Sequence, residues 1–90
     1  MPYIPQEQRT IINQKMSDLL ATAGDLTDGQ LNYIISNLIY THLQKTNINY
    51  SKLNSMIGVL DCAKLELYNR LITPYETQKI TENGKLYNTF

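Results

Sequence analysis

This 90-residue chain predicts an all-α fold, a small bundle of three longer helices plus a short C-terminal helix after a proline break. Three observations carry that expectation. Apolar residues recur three and four apart along most of the chain, the spacing that lines one face of a helix. Two segments, Thr27 to Gln30 and Thr73 to Glu76, have the threonine and the Gln or Glu three residues on that open a helix. Glycines at 24 and 84 stand where two apolar patterns end. The expected helices cover about 5–23, 28–45, 50–72 and 74–83 in a single domain, 1–90, with a loose or partner-docked tail over 85–90.

The first helix follows from Pro5, tolerated at a helix start, and from Ile11, Ile12, Met16, Leu19, Leu20 and Ala23 on one face, with Gly24 as its stop. Leu26 and Leu31 then bracket the Thr27 to Gln30 capping box as a hydrophobic staple. Leu31, Ile34, Ile35, Leu38, Ile39 and Leu43 continue at helical spacing. The short loop 46–49 implies an antiparallel neighbour. A third helix begins after Asn49, with Ile48 and Leu53 placed to staple across that cap, and Leu53, Met56, Ile57, Leu60, Ala63, Leu67 and Leu71 keeping the period. Val59, Cys62, Leu65 and Ile72 widen the stripe beyond one face, which places this longest helix at the bundle centre or under a second subunit. Gly58 would permit a close backbone crossing there. At Pro74 the fresh start signal favours a break with a change of direction over a kink, and Gly84 is set for a left-handed cap.

Composition narrows the function. A 90-residue domain hides only about 60% of its unfolded surface, so its core is small and self-association is a natural way to enlarge it. Eight Lys or Arg balance eight Asp or Glu, without the basic stripe that generic nucleic-acid binding requires. The lone cysteine, Cys62, forms no intramolecular disulfide and fits a reducing compartment, so a cytoplasmic location is expected. The opening MPYIPQEQRT has no apolar signal region, and no apolar run approaches the ~18 residues that span a bilayer. Seven tyrosines against no tryptophan and one phenylalanine suit half-buried positions and interfaces, where a ring packs and its hydroxyl finds a partner.

The run Gly58-Val59-Leu60-Asp61-Cys62-Ala63-Lys64-Leu65-Glu66-Leu67-Tyr68, with Arg70, Pro74-Tyr75-Glu76, Lys79-Ile80 and Glu82-Asn83-Gly84, resembles a family of small uncharacterised phage and prophage proteins. Leu31-Asn32-Tyr33, Asn49-Tyr50 and Met1-Pro2-Tyr3-Ile4 resemble its other blocks. The chain departs from that pattern in the first helix and at Asn69, where a second basic residue is expected. The resemblance implies a phage-like origin and intracellular action, and it names no reaction.

The residues point to no enzyme, cofactor or metal. Cys62 and His42 are the only candidates for a nucleophile and its base, and a lone cysteine among Leu60, Ala63 and Leu65 reads as a small buried hydrophobe. One histidine and one cysteine cannot complete a zinc site, and Asp25 and Asp28 lack the calcium-loop pattern. Glu66 with Arg70, and Glu76 with Lys79, are spaced for exposed ion pairs. The corner most suited to a ligand is the proline junction. There Tyr68, Arg70, Thr73, Tyr75 and Lys79 would combine free amides at a helix start, a guanidinium fork and rings that stack on a base, with Asn32 and Tyr33 contributing from the second helix. The expected function is a non-enzymatic binding protein, assembled as a homo-oligomer, that captures a small anionic or nucleotide-like signal in counter-defence. The alternatives are a module docking on a host or phage protein through Tyr40, Tyr50 and their neighbours, and a minor virion component.

Overall fold

A computed structural model describes residues 2–87. Among them every regular element is helical. Helix α1 spans Gln6–Thr22, α2 spans Asp28–Gln44 and α3 spans Tyr50–Leu67. The chain divides into two compact units, Met1–Ile57 and Gly58–Phe90, with the division inside α3.

In the first unit, Pro5 sits just outside α1 in an extended conformation, and its carbonyl accepts from the amides of Gln8 and Arg9 at 3.1 Å each. The Arg9 Nε donates back to the Ile4 carbonyl at 2.7 Å, which ties the entering segment to the first turn. The helix stop differs from expectation. Gly24 adopts no left-handed conformation; α1 instead tightens into a 3-10 turn over Ala23–Asp25, and the Leu26 amide closes on the Ala23 carbonyl at 3.2 Å. A tightened last turn satisfies the end carbonyls without needing a positive φ.

The start of α2 matches the expectation. The Gln30 amide donates to Thr27 Oγ1 at 3.1 Å, and the Thr27 amide donates to Gln30 Oε1 at 2.9 Å, so both arms of the box are made. Asn49 caps α3 in a similar way: its Oδ1 accepts from the Lys52 amide at 2.9 Å, and its carbonyl accepts from the Leu53 amide at 3.0 Å.

The second unit overturns the proline break. From Tyr50 to Asn83 no residue leaves the helical regions, although the α-helical path is interrupted by a π-helical turn over Tyr68–Ile72. Thr73 is itself helical (φ −59°, ψ −47°), and its amide donates to the Tyr68 carbonyl, five residues back. Its side chain caps nothing, and the α-helical segment Thr73–Asn83 continues the chain without a fresh start. Proline lacks the donor for the carbonyl four residues earlier, and its ring collides with that carbonyl in a regular helix. One extra residue in the turn before it moves the carbonyl aside. Here proline diverts the helix in place of ending it. Gly84 does terminate it, donating to the Ile80 carbonyl at 2.8 Å, with φ 91° and ψ 161°. That conformation lies beyond the left-handed helical region and is open essentially to glycine alone.

Burial is the feature least like the expectation. Leu43, at 8% exposure, is the only buried residue among those described, while Ile4, Met16, Leu26, Ile34, Ile39 and Met56 in the first unit are half-buried. Twenty-four large apolar or tyrosine side chains are exposed, among them Leu31, Ile35 and Leu38 on α2 and Leu60, Leu67 and Leu71 on the long helix. All seven tyrosines are exposed, not half-buried. Cys62 and His42 are exposed too, so Cys62 is not the buried hydrophobe its neighbours suggested. A side chain added at Gly58 would meet open space, so no backbone crosses it.

Candidate functional site

The expected site residues divide between the two units. Asn32 and Tyr33 lie on α2 in the first. Asn32 Oδ1 accepts from the Ser36 hydroxyl at 3.1 Å, and the Tyr33 carbonyl accepts from Asn37 Nδ2 at 2.9 Å, so the polar atoms of this turn serve the helix itself. The Tyr33 ring, 70% exposed, lines a shallow hollow with Leu26, Gly29, Gln30 and Ile34, directly over the capping box.

Tyr68, Arg70, Thr73, Tyr75 and Lys79 lie in the second unit. The free amides expected at a helix start after Thr73 are absent there, because the helix runs through Thr73 and that amide is engaged. Arg70 Nε donates to Glu66 Oε1 at 3.3 Å, the four-residue pairing expected on a helix surface. Lys79 differs from expectation. Its Nζ pairs with Glu82 Oε2 at 3.2 Å, not with Glu76, and stands 5.5 Å from the centre of the Tyr75 ring. Glu82 lies on the C-terminal side of the lysine, and Tyr75 one turn before it, so the ammonium bridges ring and carboxylate along one face. Both partners of this pair are about half exposed at the side chain, which limits its worth to a few tenths of a kcal/mol.

What the structure adds is a cleft. It holds about 530 Å³ and is lined by Glu76, Lys79 and Ile80 of the helix and by Lys85, Leu86 and Tyr87 beyond its end. Gly84, with its positive φ, lies where the chain leaves the helix, between the helical lining residues and those that follow. Its lining is mainly apolar, with ammonium groups from Lys79 and Lys85 against the single carboxylate of Glu76. Lys79 thus belongs both to the cleft and to the contact with the Tyr75 ring, which is not among the lining residues. Lys85 and Tyr87 were read from sequence only as tail, and the signal that points to them is Gly84, since a glycine-only stop fixes the direction in which the chain leaves the helix. The remaining part of that tail, 88–90, lies outside the described residues.

Among the described residues, no three of His, Cys, Asp and Glu gather as metal ligands, and no helix is long and apolar enough to cross a membrane. A family model described as a domain of unknown function, DUF6899, matches residues 1–86. No curated protein and no solved structure matches the chain.

Proposed function

We propose that this chain, which belongs to the DUF6899 family, is a non-enzymatic protein of phage origin that captures a small anionic, nucleotide-like ligand in the host cytoplasm. The observation that carries this reading is the Lys79 ammonium, which stands 5.5 Å from the Tyr75 ring and also lines the cleft with Lys85 and Tyr87. A base stacks on an exposed ring, and a phosphate needs ammonium or guanidinium groups nearby. Arg70 supplies a further cation nine residues before Lys79 on the same helical run. The phage origin rests on the resemblance of the Gly58 to Gly84 blocks, and the compartment on the lone thiol.

The test is calorimetric titration of nucleoside monophosphates and cyclic dinucleotides into the full chain. Wild type binds, and Lys79→Ala and Arg70→Ala each weaken capture about tenfold or more, the loss expected when a charge-assisted contact is removed. Equal affinity in both variants would sink the assignment, because each lies on the surface and neither change disturbs a buried residue.

A second reading, docking on a host or phage protein, is favoured by the apolar and aromatic surface, in which Tyr40 is exposed and Tyr50 is 83% exposed. We propose further that the chain acts as a homo-oligomer and that bundle packing is completed between copies. One buried residue among those described is too small a core to hold the fold, and covering the half-exposed leucines and isoleucines gains roughly 1 kcal/mol each.

A further inference from the structure

Helix α2 presents the clearest uncovered face of the first unit. Its apolar stripe is half-buried at the rims, Ile34 and Ile39, yet exposed along the middle, where Leu31, Ile35 and Leu38 are open to 46%, 41% and 62%. Those three and His42 are spaced four, three and four apart, the alternation that keeps a seam facing a partner helix. A single helix of the same kind fits against it.

The charges on this helix say which helix that is. α2 carries Asp28 at its first position and His42 in its last turn, Lys45 caps it, and the stretch between Asp28 and His42 holds no charge. We infer that the face of α2 is the interface between two copies of this chain, packed antiparallel about a two-fold axis that passes between Ser36 and Asn37. In that register Ile35 of each copy stands opposite Leu38 of the other, and Leu31 opposite His42. Asp28 of each copy falls opposite Lys45 of the other, twice per dimer. The same reversal sets the positive end of each helix dipole beside the negative end of its neighbour. One acid and one base at opposite ends of a helix face each other in two copies only when the copies run antiparallel. A parallel pair would set Asp28 beside Asp28 and Lys45 beside Lys45, and like charges at matched positions act against it. The face is therefore self-complementary in the order of its apolar residues and in sign, as an isologous interface requires.

This inference rests on the reading of the chain as a homo-oligomer, and the experiment separates the two. The full chain is studied by sedimentation velocity over a concentration series, with circular dichroism as the check on helicity. Wild type dimerises. Leu38→Asp, which buries two carboxylates beside the axis, is monomeric at concentrations where wild type is fully paired. Asp28→Lys and Lys45→Glu each weaken pairing, by about tenfold since each reversal acts at two symmetric contacts, and the double variant Asp28→Lys with Lys45→Glu regains most of the loss. A monomeric wild type overturns both the oligomer and its interface. A dimer that Leu38→Asp leaves intact overturns the α2 interface alone, as does a double variant that remains as weak as the singles.

Discussion

Two threonines with the same sequence signature behave differently, and the difference is a matter of single hydrogen bonds. Thr27 and Thr73 each precede a Gln or Glu by three residues. Thr27 has extended backbone angles, and its hydroxyl accepts the Gln30 amide. Thr73 is helical and its hydroxyl caps nothing, because the residues before it supply carbonyls to continue the ladder. Thr27→Ala is therefore expected to destabilise the protein by about 1 kcal/mol. Thr73→Ala is expected to be neutral or to stabilise by a few tenths, alanine being the better helix former. Chemical denaturation of the two variants in parallel measures the contrast, and equal losses would mean that Thr73 caps after all. The capping box thus identifies a helix start only where the preceding chain has already stopped being helical. At Thr27 the turn over Ala23–Asp25 ends the earlier helix, whereas Leu67 to Ile72 offers no such end.

At the scale of elements, the sequence made α1, α2 and the start of α3 legible, because caps and periodicity agree there: expected bounds of 5–23 and 28–45 became Gln6–Thr22 and Asp28–Gln44. The expected separate helix after Pro74 was not legible as the continuation it is. Proline removes one donor whether the helix breaks or bulges, and the choice depends on whether one added residue can be taken up in the turn before it. The π-helical turn Tyr68–Ile72 takes it up. Pro74→Ala restores the donor and removes the clash, so the turn is expected to relax to regular α-helix. Stability should rise by about 1–3 kcal/mol, and amide exchange over residues 68–74 should slow. An unchanged exchange pattern would place the origin of the π turn elsewhere than in the proline. The cleft belongs to this scale as well. Tyr75 and Lys79 have the four-residue spacing of neighbours on a helix, whereas Lys85 and Tyr87, which line the cleft with Lys79, lie beyond the helix end at Gly84 and have no such periodicity.

For the whole molecule the decisive fact is that, among the described residues, only Leu43 is buried while so many leucines, isoleucines and tyrosines are open to solvent. A folded state completed by association has a Tm that depends on protein concentration. Scanning calorimetry is expected to show a rise of about 3–5 °C per tenfold increase, and Leu38→Asp should flatten that dependence. A Tm independent of concentration in the wild type would show that the chain needs no second copy. The sequence by itself determined the all-α class, the order and most boundaries of the helices, the ends of α2 and the start of α3, because each rests on hydrogen bonds and periodicities within a few residues. Only the tertiary structure decided that Thr73 caps nothing, that Lys85 and Tyr87 line a cleft with Lys79, and that the apolar stripes remain uncovered. Those outcomes depend on where a chain finds its next partner for a carbonyl or an apolar face, and local spacing specifies the need for a partner without specifying which one meets it.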